Sequence, residues 1–176
     1  MKRDAVLALI TVLLVGALSI QSPQFASPRN LAEIFDDTAI LILLALGQML
    51  VIITRGVDLS VASNLALSGM IAALVDRSFP QAGAVSAIAV AIACGAALGA
   101  FNGLLVWRLR LPAIVVTLGT LSIYRGLIYL LTDGAWVNSH EMSAAFLDFV
   151  RMRFLGLTTI SWIALVVAAA SWVVLR

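Results

Sequence analysis

Polar side chains that could line a passage for a solute are concentrated in one stretch, residues 54–69, which lies between two apolar runs. Gly56 permits a tight reversal of the backbone, and Asp58 or Ser60 can accept hydrogen bonds from the first amide groups of the helix that follows. Three polar residues then enter this otherwise apolar helix: Ser63, Asn64 and Ser68. In an apolar environment such groups need partners, so we expect them to face other helices or a wet cavity. Two interpretations remain open, a capped turn with helix packing and the wall of a translocation path.

Uncharged polar residues within the apolar runs are the candidates for such a path: Gln48, Asn64, Asn102 and Thr117. Asn102 is expected to be buried and to need a hydrogen-bond partner. It lies in a run where glycine recurs every four residues, with alanines between, at Gly95, Gly99 and Gly103. Small residues at this spacing let a neighbouring helix approach closely, so we interpret the three glycines as a helix-packing device.

Arg125 places a charge inside an apolar run, between Tyr124 and Gly126. At the middle of a membrane an arginine costs roughly 2.5–3.5 kcal/mol on insertion scales. The residue lies shortly before Leu131, about 9 Å away along a helix that rises 1.5 Å per residue. Its long side chain can therefore reach the membrane surface, helped by Tyr124 and Tyr129. A position inside a pore is the alternative.

Residue types that catalysis and metal binding need are almost absent. Cys94 is the only cysteine, His140 the only histidine and Lys2 the only lysine. A thiol in an apolar run is a packing residue, and a single histidine without other ligands makes no metal site. A phosphate-binding loop needs its lysine after a glycine-rich turn. The sequence therefore predicts no enzyme, no metal and no cofactor, and if ATP powers transport here, another subunit binds the nucleotide.

The composition predicts an integral membrane protein. Hydrophobic residues make up 62% of the 176 residues and charged residues only 11%, with a mean hydropathy of +1.10. A soluble domain carries about 25% charged residues to cover its surface, so most of this exterior must face lipid. The net charge of +2 comes from dispersed arginines that form no basic patch. Nucleic acid is therefore not an expected partner.

Apolar runs of about 20 residues, the length that a ~30 Å hydrocarbon core requires, predict an all-α transmembrane bundle in one domain, residues 1–176. About six spans are expected: Ala5–Ile20, Thr38–Ile53, Leu59–Val75, Ala82–Trp107, Ala113–Leu131 and Phe154–Leu175. The first span follows the charged start Met1–Asp4, so a signal peptide is a competing interpretation. Gln24, Phe25 and Ala26 match its small-x-small cleavage site poorly, which favours a retained helix.

Two patterns of a capping residue followed three positions later by glutamate predict helix starts. Asn30 with Glu33 is expected to open the second span. Asn138 with Glu141 lies in the longest loop, residues 132–153. Apolar residues at helical spacing follow it: Met142, Ala145, Phe146, Phe149 and Val150. This segment is either a short amphipathic helix on the membrane surface or an ordinary surface loop.

Arginine and lysine in the short loops indicate the orientation. With a cytoplasmic N-terminus, six basic residues lie on the cytoplasmic side: Lys2, Arg3, Arg55, Arg108, Arg110 and Arg176. Four lie on the other side: Arg29, Arg77, Arg151 and Arg153. The excess favours a cytoplasmic N-terminus and places the loop 132–153 outside.

Several of these segments, in this order, resemble the membrane subunits of bacterial ABC importers for carbohydrates, the ribose, xylose, rhamnose and autoinducer-2 branch. The matching stretches are Ala45–Met49, Gly56–Ser60, Leu65–Gly69, Gly99–Gly103, Leu111–Thr120 and Tyr124–Gly126. The stretch Asn138–Met142 looks most like the rhamnose-type permeases. The likeness covers almost the whole chain, and the order of the motifs makes it more specific than any one of them.

The resemblance implies a permease of the bacterial inner membrane that forms part of the path for a pentose or deoxyhexose. It also implies three kinds of partner: two ATPase subunits on the cytoplasmic face, a periplasmic or lipid-anchored sugar-binding protein, and a second permease chain or a copy of this one. Members of the family have about ten spans, with the loop that couples to the ATPase in their second half. The chain is therefore expected to represent the first part of such a permease. A non-transporting scaffold or a truncated remnant is the alternative, and the lack of paired acids in the spans disfavours a proton-coupled transporter.

Overall fold

The computed structural model describes residues 3–176, with side chains from Asp4 onward, so Met1 and Lys2 of the predicted charged start lie outside the described residues. The described part confirms the all-α class. Its helices are α1 (Arg3–Gln21), α2 (Pro28–Ile53), α3 (Val61–Ser78), α4 (Gly83–Leu109), α5 (Ala113–Thr132), α6 (Ala144–Arg151) and α7 (Thr159–Leu175). One antiparallel hairpin of two short strands, β1 (Arg153–Phe154) and β2 (Leu157–Thr158), precedes α7.

The prediction of about six spans is not confirmed. Four helices of the described chain are long and apolar enough to cross a membrane, namely α1, α2, α4 and α5. The predicted sixth span loses residues 154–158 to the hairpin, and the 17 residues left in α7 extend about 26 Å, less than the ~30 Å core. α3 has 18 residues, but its internal polar groups and its end at Asp76 and Arg77 lower its hydropathy.

α3 is the most buried helix although it is also the most polar of the long ones. It packs against α4 and α5, whereas α2 packs against α7. α6 contacts both α4 and α7 and so connects the two groups of helices. The buried residues of α3 are Ser63, Leu67, Ser68, Met70, Ala72 and Asp76. In α1, by contrast, every described side chain except that of Ser19 is exposed.

The predicted cap at the start of α2 is wrong in its residues. Ser27 is the N-cap, and its hydroxyl accepts a hydrogen bond from the Asn30 amide at 3.3 Å. Pro28 follows at the first helical position, where its fixed φ and missing N–H suit a helix start. The Asn30 side chain donates instead to the Phe25 carbonyl, and Glu33 pairs with an arginine one turn earlier. Serine before proline is the stronger start pattern here.

The loop 132–153 contains the short helix that one interpretation predicted, and its start differs from the expectation. Glu141 accepts hydrogen bonds from the backbone and side-chain amides of Asn138, but this pair opens only a 3-10 turn, Ser139–Glu141. α6 begins later and is capped by the Ser143 hydroxyl, which accepts from the Phe146 amide. That α6 lies on the extracytoplasmic surface of the membrane remains a prediction.

Two buried carboxylates attach this loop to the long helices. Asp76, at the end of α3, accepts hydrogen bonds from the Ser143 amide and hydroxyl, both at 2.7 Å. Asp36, in α2, accepts from the amide and hydroxyl of Thr158 at 2.9 Å and from the Ser161 hydroxyl at 2.5 Å. Its second oxygen lies 3.2 Å from the Arg153 guanidinium. The hairpin and α6 are thus held at one end of the bundle.

Candidate translocation path

A polar turn connects α2 with α3, and it contains Asp58, which borders a cleft, and Ser60, which is bonded to Asp58. One Asp58 oxygen accepts hydrogen bonds from the Ser60 amide at 2.7 Å and from the Ser60 hydroxyl at 2.6 Å. Ser60 is the N-cap residue of α3, but its hydroxyl does not bond to the first amides of the helix. The expectation that either side chain caps those amides is therefore wrong. The carboxylate instead fixes the serine hydroxyl in position for another helix.

Asn102, in α4, is hydrogen-bonded to the turn before α3 and to α5. Its side-chain nitrogen donates to the Ser60 hydroxyl at 2.8 Å, and its oxygen accepts from the Tyr124 hydroxyl at 3.3 Å. Tyr124 also donates to the Leu98 carbonyl at 2.9 Å. Asn102 is 5% exposed and Tyr124 2%. The prediction that Asn102 is buried and has a partner is confirmed, and the partners lie in the turn before α3 and on α5. We call Asp58, Ser60, Asn102 and Tyr124 the polar cluster.

Thr117 connects α5 to the turn between α2 and α3. Its hydroxyl lies 3.3 Å from the Val57 carbonyl in the turn and 2.9 Å from the Ala113 carbonyl in its own helix. Next to the threonine and the polar cluster is a cleft of about 560 Å³. Its polar lining comprises Thr54, Arg55, Asp58, Asn102 and Thr117, and glycines, valines, Ala113 and Trp107 complete it. Hydroxyl, amide and carboxylate groups of this kind can exchange hydrogen bonds with a hydroxylated solute.

The backbone reversal at the cleft is built differently from the expectation. Arg55, not Gly56, has the left-handed conformation, with φ = 60°. Gly56 is needed for space instead, because an added Cβ would lie 3.2 Å from a Val51 methyl carbon and 3.4 Å from the Val51 carbonyl. The Gly56 amide donates to that carbonyl at 3.0 Å and closes the end of α2.

The glycines of α4 divide between packing and lining. The Asn64 side chain donates to the Gly95 carbonyl at 3.2 Å, and an added Cβ at Gly95 would lie 3.7 Å from the Asn64 oxygen. Gly99 also faces Asn64, at 4.0 Å. An added Cβ at Gly103 would have no atom within 4 Å, and Gly103 borders the cleft. Gly95 and Gly99 therefore lie at the contact with α3, and Gly99 borders the cleft as well.

The remaining candidates lie elsewhere. Gln48 lies in α2, and its side-chain oxygen is buried without a hydrogen-bond partner among the described residues. It does not border the cleft, and neither does Asn64. Arg125 is exposed and borders a separate groove at the other end of α5. Of the four path candidates, the structure therefore brings only Asn102 and Thr117 together.

Sequence reasoning overlooked Tyr124 as a member of the polar cluster. It considered this residue only as an aid to the neighbouring arginine. The tyrosine side chain is 2% exposed within an apolar helix, and a buried tyrosine hydroxyl usually finds a partner. The asparagine within the apolar run of α4, Asn102, was the partner that the sequence offered.

Outside the membrane-crossing helices, Glu141 is the charged group that its surroundings change most clearly. Hydrogen bonds from the Asn138 backbone and side chain, together with the Arg77 guanidinium 3.1 Å away, hold the pKa of Glu141 below its ordinary value of 4.5. This glutamate is structural, because it orders the 3-10 turn Ser139–Glu141 within the loop. Within residues 3–176, no three His, Cys, Asp or Glu side chains come close enough to hold a metal ion.

The fold and the cleft define a helical membrane protein with a polar cleft between largely apolar helices. Residues 30–176 match the family described as "Branched-chain amino acid transport system / permease component", and the chain belongs to this family. A permease component is a transport protein and not an enzyme.

Among curated proteins, the chain is 37% identical over 172 residues to the autoinducer 2 import system permease protein of Photorhabdus laumondii, with 96% of this chain and 50% of the relative covered. It is 37% identical over 178 residues to the ribose import permease protein of Escherichia coli K12, with 100% of this chain and 54% of the relative covered. The corresponding autoinducer 2 permease of Enterobacter sp. 638 is 45% identical over 139 residues, 78% of this chain and 40% of the relative. The chain thus spans about half the length of these relatives. No solved structure matches it.

Proposed function

We propose that this chain forms one wall of the translocation path in the permease of an ATP-binding-cassette importer for a sugar. The observation that carries the proposal is the polar cluster, which lies beside the cleft and is built from the turn before α3, from α4 and from α5. Buried polar groups in membrane helices are costly and are characteristic of solute pathways. The relatives named as ribose and autoinducer 2 import permeases support a sugar or sugar-like solute.

The chemistry of the cleft suits a neutral, hydroxylated solute. Its lining offers the Thr117 hydroxyl and the Asn102 amide, with the carboxylate and guanidinium of Asp58 and Arg55 near them. Some of these groups already form hydrogen bonds within the protein, so the cleft offers weak, transient contacts to a solute and no tight binding site. This matches a permease that provides a path while a separate protein captures the sugar.

Orientation and partners follow as parts of the same proposal. The cleft lies at the end of the bundle that holds the loops 54–60 and 110–112, and we assign this end to the cytoplasmic side of the inner membrane because the excess of basic residues favours it. ATPase subunits would bind there, and a sugar-binding protein would dock at the opposite end, which carries α6 and the hairpin. A second permease chain would complete the path.

The choice of solute rests on the names of the relatives. The family description names branched-chain amino acids, whereas the relatives above are named for ribose and autoinducer 2. We favour a pentose or a deoxyhexose, with rhamnose as the narrower prediction from the stretch Asn138–Met142. Ribose is the first solute to assay, because the match to the ribose permease covers the whole chain.

A chimaeric permease tests the proposal. This chain would replace the matched segment of the E. coli ribose permease, which is 54% of that protein, and radiolabelled ribose uptake would be measured in a strain that lacks its own ribose permease. We expect the chimaera to co-purify with the ribose ATPase and to restore uptake. An otherwise identical chimaera with Asn102→Leu serves as the control and should be inserted in the membrane but take up less ribose.

The outcomes separate the two readings of the chain. Co-purification without uptake of ribose, rhamnose or autoinducer 2 would retain the permease architecture and reject the sugar path. A chimaera that is inserted but neither binds the ATPase nor supports uptake would reject the importer altogether. That result would favour the alternative of a non-transporting membrane scaffold.

A further inference from the structure

An apolar cavity separates the two groups of helices at the end opposite the polar cleft. It has a volume of about 490 Å³ and lies between α2 and α7 on one side and α3 and α5 on the other. Its walls are formed by aliphatic side chains, including Leu43, Leu65 and Ile128, with Trp136 at its edge. A smaller groove of about 300 Å³ lies directly beside it and shares four lining residues with it, Ala66, Met70, Ile128 and Trp136.

A positively charged side chain borders this groove. Arg125 borders it together with Tyr129 and Trp136, and its side chain is exposed. The ion pairs formed among the described residues use three other arginines, Arg29, Arg77 and Arg153. Arg125 is seven positions before the end of α5 at Thr132, about 10 Å below it along the helix. At this depth an arginine draws in a headgroup or extends to it.

We propose that the groove binds one anionic phospholipid, with its phosphate on Arg125 and one acyl chain in the apolar cavity. The guanidinium is planar and presents paired donors, which match the oxygens of a phosphate. Tyr129 and Trp136 are amphipathic rings of the kind that occupy the headgroup level. The lipid would fill the space between the two helix groups and hold them in one relative position.

The cavity fits an acyl chain better than it fits a sugar. A sugar hydroxyl placed among Leu43, Leu65 and Ile128 would lose its hydrogen bonds to water without replacement. The polar cleft, by contrast, offers such partners. The charge at the mouth also selects among lipids, because a zwitterionic headgroup offers the arginine no net negative charge.

Quenching of Trp136 fluorescence by brominated lipids tests the proposal. The three other tryptophans, Trp107, Trp162 and Trp172, would be replaced by phenylalanine, and the protein reconstituted in nanodiscs with acyl-brominated phosphatidylglycerol or phosphatidylcholine. We expect phosphatidylglycerol to compete for the site about fivefold better than phosphatidylcholine, the factor that one arginine supplies near a charged lipid surface. Native mass spectrometry of the protein with its natural tryptophans should show one retained phosphatidylglycerol.

Two variants and a matched control show whether Arg125 causes the preference for phosphatidylglycerol and whether the lipid occupies the groove. Arg125→Gln should abolish the preference, whereas Arg151→Gln, which removes an equal exposed charge at the same end of the bundle, should preserve it. Ala66→Phe fills the groove without changing charge and should reduce quenching by both lipids, with helicity unchanged by circular dichroism.

An equal affinity for both lipids, or a preference that survives Arg125→Gln, would overturn the proposal. Quenching that millimolar ribose abolishes would assign the groove to the solute path and overturn it as well. Because these measurements do not use uptake, their failure would leave the proposed permease function untouched.

Discussion

Replacing Asn102 with leucine removes the polar centre of the helix contacts while nearly preserving side-chain volume. The wild-type amide donates to Ser60 at 2.8 Å and accepts from Tyr124 at 3.3 Å. After the change, Ser60 still donates to Asp58, and Tyr124 still donates to a backbone carbonyl at 2.9 Å. No buried donor is therefore left without a partner, and the loss is confined to the two interhelical bonds.

The magnitude follows from those two bonds. Interhelical hydrogen bonds in a membrane protein contribute about 0.6 kcal/mol on average and at most about 1.7 kcal/mol. The shorter bond of Asn102 should lie near the upper value and the longer one near or below the mean. We therefore expect Asn102→Leu to lower the free energy of unfolding by about 1–2 kcal/mol.

The assay is unfolding in mixed detergent micelles, followed by circular dichroism as the fraction of sodium dodecyl sulfate rises. A double-mutant cycle with Ser60→Ala isolates the shorter bond and should give a coupling energy of roughly 0.6–1.7 kcal/mol. Ser122→Ala is the matched control, because the Ser122 hydroxyl is exposed and bonds only within its own helix. Its effect should stay within about 0.5 kcal/mol.

The reasoning is refuted if Asn102→Leu is as stable as the wild type and shows no coupling to Ser60→Ala. That result would mean that the polar cluster contributes nothing to the packing of α3 against α4.

Three further predictions concern packing and the loop. Gly95→Leu should lower the free energy of unfolding by about 1–3 kcal/mol in the same micelle titration, because the leucine side chain would enter the contact between α3 and α4. Gly103→Leu, at a position where an added Cβ meets open space, should lower the free energy of unfolding much less. Equal decreases for the two variants would contradict the packing argument. Asp76→Ala removes two hydrogen bonds to the start of α6, each worth about 1.5–3 kcal/mol because the acceptor is charged. In this variant, α6 should exchange its amide hydrogens faster and be cleaved faster by protease. Asp148→Ala, which changes an exposed carboxylate, should have neither effect. The pKa of Glu141 in the folded protein lies below its ordinary value of 4.5, so the order that this residue gives the loop should be fully present above pH 4.5 and be lost as the pH falls through the lowered pKa. Hydrogen exchange of residues 138–143 should show this loss, and Glu141→Gln should remove the pH dependence. A Glu141→Gln variant that keeps the pH dependence would refute the assignment.

Helix positions could be predicted from the sequence wherever an apolar run ends at a strong breaker. α5 was expected over Ala113–Leu131 and spans Ala113–Thr132, because Pro112 precedes it and polar residues follow it. The sixth run was misjudged, since Phe154 and Leu155 continue the apolar pattern although they belong to a hairpin with a left-handed residue at its turn. Hydropathy alone does not distinguish such a hairpin from the first turn of a helix.

The contacts that assemble the candidate site were less accessible to sequence reasoning. Asn102 could be predicted to need a partner, but Ser60 lies 42 positions away and only the fold brings them together. Asp36 accepts a hydrogen bond from Thr158, which lies 122 positions further along the chain, so no local sequence pattern indicates this pair. Ser143 could have been found, because a serine directly before a helical run is a common N-cap.

The most direct test of the account is whether the cleft is open to water at membrane depth. Gly103→Cys and Gly119→Cys, each in a Cys94→Ser background, place a thiol in open space at the same depth, about 9 Å from the shared end of α4 and α5. Gly103 borders the cleft and Gly119 does not. In inside-out membrane vesicles, the account predicts that a charged, membrane-impermeant thiol reagent labels Gly103→Cys and spares Gly119→Cys, while a lipid-soluble maleimide labels both. Equal labelling of the two by the charged reagent, or labelling of neither, would contradict the claim that this cleft is part of a translocation path.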